Sequence, residues 1–200
     1  HLVRHHAEAL AALDAVVAGD ESRPIESLFL RARLLEKLGK YEESEAYWNG
    51  VAARERALRG HAAREILGLR LIRSDPAGAE AALNNIPGGL RDRRNISYIL
   101  RVADGYLGIG DNDKAEELYR AVLRLRRTGS AADEARLGIG LARLDAGRHD
   151  RALAALRELQ TNFRDASIFL RGKKTERFIA SIRGPVPGPF SEDEYLRMIQ

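Results

Sequence analysis

The sequence predicts an all-α protein built from consecutive helix–turn–helix units. A turn recurs along the chain at Gly39, Ser74, Gly110 and Gly147, with separations of 35, 36 and 37 residues. Amphipathic stretches with apolar residues at helical spacing flank these turns. Alanine, leucine, arginine and glutamate are abundant, which favours helices. A single helix pair cannot bury its apolar faces alone, so we expect each unit to stack on neighbours of the same kind.

The clearest unit spans residues 99–124, where two amphipathic helices flank Gly110. The apolar faces consist of Ile99, Val102, Ala103 and Tyr106 on the first helix and Ala115, Leu118, Tyr119, Val122 and Leu123 on the second. Gly110 suits the left-handed residue that ends a helix. Either Asp111 or Asp113 is placed to cap the second helix through its carboxylate. We therefore expect a tight turn between two packed helices here.

Turn and cap residues divide the remaining chain into helices. Gly19 ends the first helix, and Pro24 and Pro76 each stand at the start of a later one. Residues 86–89, Ile-Pro-Gly-Gly, form the clearest break in the series. The predicted helices cover about 1–18, 25–38, 41–57, 59–73, 76–85, 91–108, 112–127, 130–146 and 149–161.

At the level of the repeat the chain resembles the tetratricopeptide repeat family, whose unit is a helix–turn–helix of about 34 residues. The unit with the best fit carries the pattern of bulky, small and aromatic residues at Ile99, Val102–Ala103, Tyr106, Ala115 and Tyr119. The proline that usually closes the family's unit is missing. On this register Arg56, Arg91, Arg127 and Arg164 stand in its place.

The resemblance implies a right-handed α-solenoid with about four repeats in one domain covering residues 1–183. A half-repeat containing Ala9 and Leu13 precedes the first repeat. The expected repeats are about 25–58, 59–90, 91–128 and 129–162, followed by capping helices in 163–183. Such a cap covers the apolar end of a repeat array.

The C-terminal residues are expected to differ from the repeats. Residues 171–177 form a short basic patch, which is typical of a solvated turn, although an anionic partner is an alternative. Residues 184–190 are rich in proline and glycine and predict an extended linker. Ser191 and Glu194 form a capping box, so 191–200 predicts a short terminal helix.

Composition limits the classes of site that the chain can hold. The sequence has no cysteine, which excludes disulfides and thiolate metal sites. No apolar run approaches the roughly 20 residues that a membrane helix needs. The formal net charge is +4, and 28 of the 33 basic residues are arginine, which indicates a bacterium with a GC-rich genome. The compartment stays open between cytoplasm and periplasm, because a signal peptide is removed without trace.

The sequence predicts a protein without an active site. It contains no zinc-protease, nucleophile-elbow or phosphate-loop motif, so we expect no enzyme activity, no cofactor and no metal site. The tetrapeptide Leu-Gly-Ile-Gly occurs at 107–110 and 137–140, where helix packing and helix ending explain the glycines. His61 and His149 are isolated in the sequence, so packing is their expected role.

Function is expected on the concave groove, which in this family is lined by the first helix of each unit. The resemblance implies groove positions at Phe29, Arg33, Lys37, Arg64, Gly68, Leu71, Leu100, Asp104, Leu107, Leu137, Leu141 and Leu144. We expect a protein–protein interaction scaffold that holds a peptide or a partner helix there. Arg33 and Arg64 could grip an acidic segment of that partner through bidentate contacts.

Two other functions stay open at this stage. The chain could be an accessory repeat domain of a larger bacterial envelope enzyme or assembly protein. It could also be a regulator that binds nucleic acid, although acidic residues interspersed among the arginines make that partner less expected. The sequence does not predict the oligomeric state.

Overall fold

The computed structural model describes residues 2–17, 24–162 and 171–176, which form helices joined by turns and short connections. The α-helices are α1 (Leu2–Val17), α2 (Ile25–Lys37), α3 (Tyr41–Arg54), α4 (Arg59–Ile72), α5 (Pro76–Asn84), α6 (Ile96–Gly108), α7 (Asn112–Leu125), α8 (Ser130–Asp145) and α9 (His149–Asn162). Short 3₁₀ turns occupy Arg56–Leu58, Gly89–Arg91 and Arg93–Asn95. The predicted all-α fold class is confirmed for this part of the chain.

Two predicted elements differ from the structure. The helix expected over 91–108 begins at Ile96, because side chains bond locally to the backbone before it. The Asp92 carboxylate accepts from the backbone N–H of Arg94 at 2.8 Å, and Asn95 Nδ2 donates to the carbonyl of Pro87 at 3.0 Å. Residues 171–176 are helical, as expected for the capping helices in 163–183, and do not form the turn expected at the basic patch. The predicted linker and terminal helix lie outside the described residues.

The four predicted turns share one backbone conformation. Gly39, Ser74, Gly110 and Gly147 have positive φ angles of 74°, 56°, 81° and 70°. In each turn the next backbone N–H donates to the carbonyl five residues earlier, at 2.7–3.0 Å. This is the hydrogen bond that closes a helix ending in a left-handed residue. The alignment of the turns is therefore confirmed at all four positions.

The chain divides into two compact units, residues 1–98 and 99–200, with the division inside α6. In the first unit, Trp48 of α3 is fully buried and is the largest side chain of the core. The Ser44 hydroxyl donates to the carbonyl of Ala32 at 2.8 Å, so a small residue holds α3 close to α2. An ion pair between Arg31 and Asp14 joins α2 to α1.

In the second unit, glycines of α8 let neighbouring side chains approach its backbone. A Cβ at Gly138 would lie 2.3 Å from the Tyr119 ring, and one at Gly140 would lie 2.8 Å from Leu156. The packing role expected for the tetrapeptide at 137–140 is thus confirmed. In the described helical segment 171–176, a Cβ at Gly172 would lie 2.5 Å from Leu159 of α9.

A buried glutamate joins the two repeats within each unit. Glu45 of α3 accepts from Arg70 at 2.5 Å and 3.0 Å and from Arg73 at 3.0 Å. The hydrogen bonding between Arg70 and Glu45 is the main reason that the pKa of Arg70 is raised. Glu116 of α7 accepts from Arg143 at 2.6 Å and 2.9 Å. Each carboxylate therefore links the second helix of one repeat to the first helix of the next.

Candidate functional site

In the first unit, the expected groove positions of α2 lie on its accessible face. Phe29, Arg33 and Lys37 are spaced four residues apart, which places them in one row along the helix. Phe29 is half-buried, whereas Arg33 and Lys37 are exposed. On α4, Arg64 and Leu71 are half-buried.

Three rings from α2, α3 and α4 form an aromatic cluster beneath this face. The Phe29 ring stacks on the His61 imidazole with a centroid separation of 5.2 Å, and it meets the Trp48 ring edge-on at 4.7 Å. Trp48 lies 5.5 Å from His61 and completes the cluster. His61 is therefore a packing residue with ring partners, and these contacts between separate helices are invisible in the sequence.

Arg33 covers the aromatic cluster and is already paired within the unit. Its guanidinium donates to both carboxylate oxygens of Glu65 at 2.7 Å and 3.0 Å, and to Glu36 at 3.2 Å. It also lies 5.3 Å from the centre of the Trp48 ring. A partner's carboxylate would have to displace Glu65 to bind Arg33.

Lys37 and Arg64, unlike Arg33, are not paired with an acidic side chain of the described residues. Within the described chain, neither cation has a hydrogen-bond or ion-pair partner. They are therefore the groove positions of the first unit whose positive charge stays available to a partner. A partner can bind these two cations without breaking an ion pair within the protein.

A shallow apolar pocket of about 490 Å³ opens beside the aromatic cluster. We name it the Leu30 pocket; its lining is Ile25, Glu26, Phe29, Leu30, Arg33 and Leu58. Leu30 is 50% exposed, whereas the other three leucines of α2, Leu28, Leu34 and Leu35, are buried. The pocket offers carbon surface for one apolar side chain, with a glutamate and a paired arginine at its edge.

Sequence reasoning missed four of the pocket's lining residues, Ile25, Glu26, Leu30 and Leu58. A signal for Leu30 was present, because the buried stripe of α2 contains Leu28 and Ala32. Leu30 falls between them, and so on another face of the helix. An apolar residue outside the buried stripe is a candidate contact for a partner.

The groove positions of the second unit are mostly occupied by packing. Leu100 and Leu137 are only 6% and 5% exposed, so they contribute to the interior of the protein. Leu107 is half-buried, and Leu141 and Leu144 pack against a buried cluster that includes Leu137. These leucines therefore offer less surface to a partner than the Leu30 pocket does.

Asp104 is the polar groove position of the second unit, and it accepts a hydrogen bond from the Tyr119 hydroxyl at 2.5 Å. Burial of the phenol, together with this carboxylate, raises the pKa of Tyr119 above its usual value. Asp104 therefore holds the tyrosine that packs on Gly138, which is a structural role.

The described residues contain no group of three histidine, cysteine, aspartate or glutamate side chains arranged to hold a metal ion. Within the same part of the chain, no helix has both the length and the apolar character needed to cross a membrane.

Comparisons with known proteins identify the repeat. Two family models, both described as tetratricopeptide repeat, match residues 25–49 and 100–167. A comparison with curated proteins finds no significant match.

Solved structures with the same fold agree with this match. A crystal structure of MamA is 16% identical, with a TM-score of 0.56, over 88% of this chain and 91% of that one. A tetratricopeptide repeat protein from Parabacteroides merdae ATCC 43184 is 14% identical, with a TM-score of 0.61, over 88% of this chain and 67% of that one. At such identities the likeness shows the fold alone.

Proposed function

Because the chain belongs to the tetratricopeptide repeat family, we propose that it is a protein-binding scaffold without chemistry of its own. The observation that carries this proposal is the Leu30 pocket, an apolar surface on the first helix of a repeat. The same helix is expected to line the binding groove by family resemblance. A segment of a partner protein, helical or extended, would place an apolar side chain in this pocket.

The partner is proposed to carry an acidic side chain beside its apolar anchor. Lys37 and Arg64 support this part of the proposal, because their charges are not used within the described chain. Arg33 contributes differently from the sequence-based expectation. Its contacts with Glu65 and Trp48 shape the edge of the pocket, and its charge is already neutralised.

Affinity capture with three baits tests the use of the pocket. The baits are the wild-type chain, Leu30→Asp and the matched control Ile109→Asp, which alters an equally exposed apolar residue of the other unit. Proteins bound through the pocket are captured by the wild type and by the control and are lost with Leu30→Asp. Titration calorimetry with the captured protein then measures the loss directly. Equal binding by all three baits would refute the assignment of the pocket.

A second pair of variants tests the acidic contact. Lys37→Glu combined with Arg64→Glu reverses two available charges, and we expect a weaker partner complex whose remaining affinity depends less on salt. Arg101→Glu combined with Arg124→Glu makes the same change of net charge on exposed residues of the other unit. If both pairs weaken binding equally, the acidic contact is not at Lys37 and Arg64.

A further inference from the structure

Two loops of the first unit concentrate arginine at one place. Residues 54–59 connect α3 to α4, and residues 88–95 lead into α6. Together they hold six exposed arginines and two acidic residues, Glu55 and Asp92. The six are Arg54, Arg56, Arg59, Arg91, Arg93 and Arg94. We name these two loops the arginine loops.

The arginine loops are brought together by direct contact at their bases. A Cβ at Gly60, the second residue of α4, would lie 2.8 Å from Cδ of Pro87, which comes just before the second loop. Asn95 is 3% exposed and donates to the carbonyls of Pro87 and Gly89, at 3.0 Å each. These bonds fix the second loop, so a partner that binds it does not have to order the backbone first.

Three of the arginines have no hydrogen-bond or ion-pair partner within the described chain. Asp92 binds Arg94, with a shortest separation of 2.7 Å, and this pairing lowers the pKa of Asp92. In the described structure, Arg56, Arg91 and Arg93 have neither a hydrogen-bond nor an ion-pair partner. The loops therefore present positive charge that an acidic ligand can reach without breaking an ion pair.

A polar cavity of about 600 Å³ adjoins the arginine loops between α3, α4 and α5. Its polar lining residues are Asn49, Arg59, Arg70, Asn84 and Asn85, and its apolar lining residues are Ala52, Ala63, Ile66, Ala81 and Ala82. Arg59 belongs to the first arginine loop. A Cβ at Gly89 of the second loop would lie 3.7 Å from the Asn84 side chain. Carboxamides both donate and accept hydrogen bonds, as the peptide group does, so they can pair with a peptide backbone.

We propose that the arginine loops and this cavity bind an acidic, extended segment of a partner protein. Carboxylates of the segment would pair with Arg56, Arg91 and Arg93, because a guanidinium binds a carboxylate through two parallel hydrogen bonds. The backbone of the segment would bond to Asn49 and Asn84, and an apolar side chain would rest on the alanines and Ile66. The Leu30 pocket shares Leu58 with the first arginine loop and shares no residue with the cavity lining, so the two sites use largely different side chains.

The lining chemistry favours a protein segment over other anionic partners. Neither the arginine loops nor the cavity lining contains an aromatic residue, so bases of a single-stranded nucleic acid would have nothing to stack on. The large apolar side chains of the loops, Leu58 and Leu90, are half-buried, so the loops lack the exposed apolar residues that insert into a membrane surface.

Fluorescence anisotropy tests the proposal with four probes. They are a labelled peptide in which leucines separate pairs of glutamate, its glutamine counterpart, a duplex DNA oligonucleotide of equal charge, and vesicles containing phosphatidylserine. We expect the glutamate peptide to bind more tightly than the other three. Arg56→Glu/Arg91→Glu/Arg93→Glu should weaken it by at least about tenfold. Asn49→Ala/Asn84→Ala, which changes no charge, should weaken it severalfold.

Two controls make the result specific. Arg101→Glu/Arg124→Glu/Arg157→Glu changes the net charge equally on exposed residues of the other unit, and it should leave the affinity nearly unchanged. Circular dichroism melting shows that each variant is folded. Tighter binding of DNA or vesicles, equal effects of the two arginine triples, or no binding of the glutamate peptide would each overturn the proposal. Leu30→Asp should not affect this binding, which separates it from the test of the Leu30 pocket.

Discussion

The turn at Ser74 predicts that a single glycine stabilises the protein. Ser74 is the only described non-glycine residue with a positive φ, at 56°, and it occupies the turn position held by glycine in the other three repeats. Its backbone makes the same closing hydrogen bonds, and it is exposed to solvent. Replacing it with glycine keeps the turn and removes the clash of Cβ with its own backbone.

The magnitude follows from two opposing effects. A left-handed conformation costs a residue with a Cβ roughly 1–2 kcal/mol relative to glycine. Glycine gives the unfolded chain more conformational freedom, which offsets about 0.4–1 kcal/mol of that gain. We therefore expect Ser74→Gly to raise the free energy of unfolding by about 0.5–1 kcal/mol. Gly110→Ser should lower it by a similar amount, because a Cβ at Gly110 would meet nothing within 4 Å and only the backbone is strained.

Urea denaturation measures both changes, provided that the slope of the free energy against urea concentration stays constant. Ser97→Gly is the matched control, since Ser97 is an exposed residue of α6. Glycine at a helical position lowers stability by about 0.5 kcal/mol, so the control should have the opposite sign. A neutral or destabilising Ser74→Gly would refute the argument that backbone strain is stored in this turn.

Three further predictions concern packing and buried polar groups in the second unit. Gly138→Ala should lower the free energy of unfolding by about 1–3 kcal/mol, because the new Cβ would lie 2.3 Å from the Tyr119 ring. Gly108→Ala is the control, since a Cβ at Gly108 would meet nothing within 4 Å, and it should not destabilise the protein. Tyr119→Phe should cost about 1 kcal/mol at neutral pH. Because the folded state raises the pKa of Tyr119 above 10.0, this contribution should shrink as pH rises past that value, so urea midpoints of wild type and variant should converge. Glu116→Gln should cost about 2 kcal/mol through its buried arginine contacts, whereas the exposed Glu117→Gln should change stability by less than about 0.5 kcal/mol.

The fold could be predicted because its signals are local and periodic. A turn residue with positive φ ends a helix in a way that glycine favours, and the interval between such residues sets the length of a repeat. The start of α6 at Ile96 was not predictable from helical periodicity. It depends on Asn95, which binds carbonyls six and eight residues earlier.

The candidate site was predicted only in part, because exposure depends on contacts between distant residues. The spacing of Phe29 and Arg33 placed both on one accessible face of α2, as the structure shows. The neutralisation of Arg33 by Glu65, 32 residues away, leaves no pattern in the sequence of α2. Leu100 was expected on the same kind of face in its own repeat, yet it is 6% exposed. A position in a repeat therefore predicts on which face of the helix a side chain lies, and the neighbouring side chains determine whether a partner can reach that side chain.

The two buried glutamates show how a charge can act as a packing residue in this fold. Glu45 and Glu116 each follow the small residue of the repeat pattern on the second helix of a repeat, namely Ser44 and Ala115. That position faces the first helix of the next repeat, where an arginine four residues before the turn donates two hydrogen bonds to the carboxylate. A buried carboxylate without such donors would be strongly destabilising. The glutamate therefore favours a neighbour with arginine at that position, and it makes the order of repeats within each unit specific as well as stable.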